Sequence, residues 1–151
     1  LKELNLPTYS FKIKRNSAGQ NLIFDPLRKK YIVLTPEEWV RQHFTNFLIN
    51  HRGYPESLIG VEVMFRMNEL SRRADILVYN RTGNPVLIVE CKAPGIKISG
   101  AVFDQIVEYN MSFRLNYLIV TNGMTHSGCY IDWERREHKF LEDIPFYNDL
   151  I

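Results

Sequence analysis

The sequence predicts an α/β domain, a mixed β-sheet flanked by helices with a β-hairpin ahead of it. Two runs carry that expectation. Pro85-Val86-Leu87-Ile88-Val89-Glu90-Cys91-Lys92-Ala93-Pro94 holds four consecutive apolar residues, three of them β-branched, the pattern of a strand covered on both faces. Tyr117-Leu118-Ile119-Val120-Thr121 is a second fully apolar run, separated from the first by a helical stretch. Two such strands pair in parallel through a crossover helix.

Composition sets the bounds. At 151 residues, 45% hydrophobic and 24% charged, the chain is expected to form a single domain, 1–151, with an ordinary core. A net charge of +2 does not announce a nucleic-acid binder, so any basic surface must come from local clustering. Both cysteines fall inside expected strands, which suits reduced buried thiols and a cytoplasmic protein. No apolar run approaches the ~18 residues of a membrane helix, and none reads as a signal peptide.

Taken in order, residues 1–7 read as a surface lead-in. Tyr9-Ser10-Phe11-Lys12-Ile13-Lys14 alternates apolar and polar, Asn16-Ser17-Ala18-Gly19 turns, and Asn21-Leu22-Ile23-Phe24-Asp25 returns: an N-terminal hairpin. Thr35-Pro36-Glu37-Glu38 is a helix start, with Thr35 as N-cap, Pro36 at the first helical position and acids in the first turn. That helix runs to about His51 with Val40, Phe44, Phe47 and Leu48 on one side, and Gly53-Tyr54-Pro55 ends it. Residues 58–67, 72–79 and the opening apolar run then form a three-strand antiparallel meander. A helix over 101–114, the second apolar strand, and two short strands near 129–131 and 139–141 complete the chain, with the tail 142–151 left unassigned.

The meander generates a chemical expectation. Side chains alternate along a strand, so Glu90 and Lys92 emerge on one face and Cys91 on the other. Asp75, one strand earlier, can meet Glu90 there. Two carboxylates and a backbone carbonyl, that of Cys91, make a hard-oxygen site for Mg²⁺, with Mn²⁺ able to substitute. Such an ion lowers the pKa of a bound water, and Lys92 could orient or deprotonate that water or neutralise a phosphorus centre. Phosphodiester hydrolysis needs little more.

Asp75 followed by Glu90-Cys91-Lys92 resembles the signature of the PD-(D/E)XK nuclease superfamily, with Ala74 in place of the signature proline. More narrowly, five pieces in order are similar to the N-terminal nuclease domain of type I restriction-enzyme R subunits, in its short stand-alone form. They are residues 34–42, Arg73-Ala74-Asp75-Ile76, Val89-Glu90-Cys91-Lys92-Ala93-Pro94, residues 104–110 and Leu118-Ile119-Val120-Thr121-Asn122-Gly123. The resemblance spans roughly residues 20 to 125. It implies a restriction-endonuclease core, a metal-dependent endonuclease acting on DNA, Asp75 and Glu90 as metal ligands and Lys92 as the catalytic lysine. It also implies a helix-borne acid in the site. Glu37 and Glu38 compete for that role; the helical count favours Glu37, with Arg41 one turn on as its partner. Gln105 and Tyr109 match the family's Q-x-x-x-Y motif and share one helix face, where they would touch the site or the DNA backbone. Expected partners beyond DNA are a second copy of the chain or separate motor and specificity subunits.

Each residue also has a plainer reading: a solvated acid at a strand edge, a surface Glu-x-Lys pair of little energetic weight, helix-dipole acids, or packing side chains. The basic groups Lys12/Lys14/Arg15, Arg28/Lys29/Lys30 and Arg72/Arg73 are solvated faces or phosphate contacts. The functional alternative is a nucleic-acid-binding or scaffold module that keeps the fold without efficient turnover. Other chemistries find no support. His43, His51, His126 and His138 lack zinc-ligand spacing, and no G-x-S-x-G elbow is present. Ala101-Val102 follow Gly100 where a phosphate loop needs Lys and Ser or Thr. Any motor would belong to another chain.

Overall fold

Three short antiparallel strands open the chain: β1 (Ile13–Arg15), β2 (Asn21–Asp25) and β3 (Lys30–Val33). The computed structural model describes residues 1–150. The expected hairpin is thus the first two strands of a three-stranded sheet. Helix α1 (Pro36–Arg52) comes next, capped as its sequence indicates: the Glu38 N–H donates to Thr35 Oγ1 at 3.0 Å, and Gly53 closes it with φ +70°. Strands β4 (Ile59–Met67), β5 (Leu70–Tyr79) and β6 (Pro85–Cys91) form the meander. Helix α2 (Gly100–Met111) crosses over to β7 (Tyr117–Thr121), which pairs parallel to β6, and β8 (His126–Asp132) and β9 (Glu137–Phe140) extend the edge. The second sheet therefore has the order β4-β5-β6-β7-β8-β9, with a single parallel pairing among the described residues.

Alternation along β6 divides the core in two. Leu87, Val89 and Cys91 join Ile76, Val78 and Ile119 beneath Val40, Phe44 and Leu48 of α1. Ile88 joins Leu77, Leu118 and Val120 beneath Phe103, Val107 and Met111 of α2. Successive side chains along β6 are thus buried against opposite helices, which is why this run could be apolar throughout. The side chain of Glu90 follows Ile88 toward α2.

Two expectations need correction, and the unassigned tail finds its place. The residue 1–7 lead-in is not all surface: Leu4 is buried in the α1-side core, and the Asn5 N–H donates to Gly123 O at 2.8 Å. Helix α2 stops at Met111 rather than 114, because Arg114 turns left-handed (φ +56°) and Phe113 and Leu115 are drawn into the α2-side core. The unassigned tail docks: Ile144 and Tyr147 are buried, Tyr54 Oη donates to Pro145 O and Tyr147 Oη to Tyr79 O, each at 2.9 Å. Ile151 lies outside the described residues. No helix is long and apolar enough to cross a membrane.

Gly123 is the tightest joint. Its φ is +83°, and a Cβ there would meet Leu4 Cδ2 at 2.8 Å and Val40 Cγ2 at 3.1 Å. Gly123→Ala combines left-handed strain with an overpacked contact, so it should cost about 1–3 kcal/mol and lower the thermal midpoint. A midpoint equal to wild type would show that Leu4 is not locked against this turn.

Candidate active site

Arg41, on the second turn of α1, is 7% exposed at its side chain and reaches across to the meander. Its Nη2 donates to Asp75 Oδ1 at 2.9 Å and lies 3.1 Å from Glu62 Oε1 and 3.3 Å from Glu37 Oε1, while Nη1 donates to Glu38. One guanidinium thus bridges four carboxylates. Burial alone would lower its pKa; the bond to Asp75 and the charge of Glu38 outweigh that and raise it, so Arg41 stays charged. Its Nε is buried without a hydrogen-bond partner.

Glu62 stands opposite Asp75 in the β4–β5 register, between the pairs Val61↔Ile76 and Val63↔Ala74. Its backbone is left-handed, with φ +54°. A residue other than glycine held there costs free energy and often marks a working site. Asp75 has a second anchor, because the Cys91 N–H donates to its Oδ2 at 2.9 Å. The β5 carboxylate is thereby seated on the backbone between Glu90 and Lys92.

The two helix acids separate cleanly. Glu38 is an interior anchor, 3% exposed, whose Oε2 accepts from Arg28 Nη2 at 2.9 Å and Gln42 Nε2 at 3.0 Å. Glu37 is half exposed and faces the acids. Burial and the charge of Asp75 raise its pKa, Arg41 and Lys92 pull it down, and the net direction is up. Lys92 therefore lies within electrostatic reach of Glu37.

Glu90 is held separately. Arg72 Nη2 donates to its Oε1 at 2.8 Å and Arg72 Nη1 to Asn110 Oδ1 at 2.7 Å. The Arg72 guanidinium lies 5.3 Å from the Tyr109 ring centroid and 6.0 Å from that of Phe113. Tyr109 thus bears on Glu90 through an arginine, while Gln105 is exposed on the same helix. Lys92 lies just past Cys91, where β6 ends, and its N–H adds one more rung toward β7, donating to Thr121 O at 2.8 Å. Glu90 is thus tied to Asn110 of α2 through Arg72, while Lys92 acts on Glu37 of α1 through its charge.

Sequence reasoning missed three of these residues. Arg72 was grouped with exposed basic residues, yet its side chain is 8% exposed. Asn110 and Glu62 were not singled out. Asn110 adjoins the Q-x-x-x-Y motif, and Glu62 lies in register with Asp75; those were the available signals. Arg41 does pair with Glu37, as its i, i+4 spacing predicts, and also clamps Glu38, Glu62 and Asp75 in the interior.

Residues 36–145 match the family described as the type I restriction enzyme R protein N terminus (HSDR_N). The chain belongs to that family. A fragment structure assigned to the HsdR subunit of a type I restriction enzyme from Vibrio vulnificus shares the fold, with a TM-score of 0.51 and 21% identity over 78% of this chain. This chain spans 24% of that structure. No curated protein matches significantly. The family membership and the shared fold agree with the restriction-endonuclease-like core read from the sequence.

Among the described residues, no three His, Cys, Asp or Glu side chains gather as a metal cage. A hard cation of the Mg²⁺ kind does not require one, since it is commonly held by one or two carboxylates and keeps several waters. The side chains of Asp75 and Glu90 are 19% and 17% exposed, and both supply oxygen only. That donor chemistry fits such an ion.

The two helix acids should respond oppositely to neutralisation. Glu38→Gln leaves Arg28 and Arg41 under-compensated in the interior and should cost on the order of 3 kcal/mol in urea unfolding. The raised Glu37 pKa means the folded state binds more protons between its unfolded and folded pKa values. The stability Glu37 contributes is therefore complete below that window and lost as pH rises through it. Glu37→Gln should remove that decline and hold or raise the midpoint at pH 7. Destabilisation by both substitutions would contradict the division into Glu38 as interior anchor and Glu37 as a half-exposed acid crowded by Asp75.

Proposed function

We propose that this chain is a Mg²⁺-dependent nuclease domain hydrolysing phosphodiester bonds in DNA, of the PD-(D/E)XK type and serving restriction of foreign DNA. The observation that carries the reading is the bond from the Cys91 N–H to Asp75 Oδ2, which joins the acid of one strand to the Glu90-Cys91-Lys92 segment of the next. Asp75, Glu90 and the Cys91 carbonyl would hold the ion; when bound, it supplies an acidified water and charge stabilisation at a phosphate oxygen.

The chain's own residues divide the remaining work. Lys92 orients the attacking water and offsets charge accumulating at phosphorus. Glu37, with its raised pKa, takes up or returns a proton beside Lys92. Arg41 keeps Asp75, Glu62 and Glu37 aimed at a common space, and Arg72 does the same for Glu90. Gln105 and Tyr109 line the approach of the DNA backbone. Cutting both strands would require a second site, from another copy of the chain or an associated subunit.

A second reading, a DNA-binding scaffold without turnover, draws on one observation: Arg41 and Arg72 each already occupy an oxygen of Asp75 and Glu90. Plasmid incubated with Mg²⁺ separates the two readings. Wild type should nick or linearise it, and Lys92→Ala should slow this by about a hundredfold or more with an unchanged melting curve. Plasmid left equally intact by both proteins, with Mg²⁺ or Mn²⁺, would overturn the hydrolytic reading in favour of the scaffold.

A further inference from the structure

Residues 1–35 precede the family match and differ in charge from the remainder of the chain. They hold seven Lys or Arg against two Asp or Glu, whereas residues 36–151 hold twelve against fifteen. The small net charge of the whole chain therefore conceals a strongly basic N-terminal sheet.

Strand register places that charge. Ile13, Ile23 and Ile32 pair across β1–β3 on one face, and Ile23 is fully buried, so this is the inner face. Asp25, in register with this face, is 2% exposed and bound to Arg28. The outer face carries two cross-strand rows, Lys12-Phe24-Tyr31 and Lys14-Leu22-Val33. Lys12 Nζ lies 5.6 Å from the Phe24 ring centroid, Lys14 Nζ 4.0 Å from that of Tyr31, and the two rings are 5.3 Å apart. Tyr31 and Val33 remain 37% and 43% exposed, and Arg15, Lys29 and Lys30 are exposed around them.

Aromatic rings flanked by flexible ammonium groups suit an unpaired nucleic-acid strand. Its bases offer ring faces for stacking and its phosphates meet the lysines. A duplex keeps its bases stacked inside and would engage the lysines alone. Val33 precedes Glu37 by four residues, at most about 14 Å of chain, so this face borders the acidic site. We propose that the outer face of the β1–β3 sheet is a docking platform for an unpaired DNA strand, through Phe24 and Tyr31 for bases and Lys12 and Lys14 for phosphates. It builds on the reading of this chain as acting on DNA, but it makes its own demand: binding without metal.

The test is fluorescence anisotropy of a labelled twelve-residue oligothymidylate with the full chain in EDTA, at two salt concentrations. Tyr31→Ser should weaken binding about tenfold or more with an unchanged salt slope, because a lost stacking face carries no charge. Lys14→Ser should weaken it and flatten the salt slope by about 0.7. Arg135→Ser, which removes one charge at a side chain 77% exposed on the β8–β9 turn, should leave binding as it is. Melting curves for each variant separate lost binding from lost folding. Binding unchanged by Tyr31→Ser, equal losses from Lys14→Ser and Arg135→Ser, or tighter binding of a matching duplex or oligouridylate would overturn the platform. Those outcomes leave plasmid cleavage untouched, and failure of cleavage leaves this binding untouched, so the two proposals fail separately.

Discussion

A buried guanidinium shared among four carboxylates is the constraint around which the acidic end of this fold is arranged. Glu37, Glu38, Glu62 and Asp75 come from α1, β4 and β5, and without Arg41 between them they would repel one another. Buried charge networks of this kind seldom repay their desolvation in stability. What this one secures is direction: the first turn of α1 is held against the middle of the meander, and the Asp75 carboxylate is turned onto the Cys91 N–H.

The sheet supplies a second constraint. Because β6 is covered on both sides, its end must pass from a dry core to a charged rim within two residues. Val89 is fully buried; Glu90 is already paired to Arg72, and Lys92 is near Glu37. Each acid is consequently served by an arginine on its own side, Asp75 by Arg41 and Glu90 by Arg72. Both arginines have a buried Nε without a partner, a cost consistent with guanidiniums placed for the acids they face.

The central sheet was legible because its signals are local. Apolar runs of strand length, the Thr35-Pro36 helix start and the Gly53 stop each act within a few residues, and the parallel β6–β7 pairing is dictated by the helix between them. The third strand of the N-terminal sheet was missed because Lys30-Tyr31-Ile32-Val33 is only four residues long and just Ile32 of its apolar residues turns to the inner face, Tyr31 and Val33 standing exposed on the outer one. The docking of Leu4 and Tyr147 was illegible for another reason: both depend on cavities made by residues more than thirty positions away. At the site, Asp75, Glu90 and Lys92 could be found by strand order and Arg41 by helical spacing from Glu37, but Arg72 and the reach of Arg41 to Asp75 could not. Arg72 in the sequence reads as surface, and only the folded chain shows that it points at Glu90 and that Arg41 reaches Asp75.

Crystals soaked in Mn²⁺ and measured at the manganese absorption edge test the account most directly. It requires an anomalous peak in contact with carboxylate oxygens of Asp75 and Glu90 and with the Cys91 carbonyl, Arg41 and Arg72 having given way on the side facing the ion. Saturating Mn²⁺ with no peak there, both arginines still seated on their acids, would contradict it.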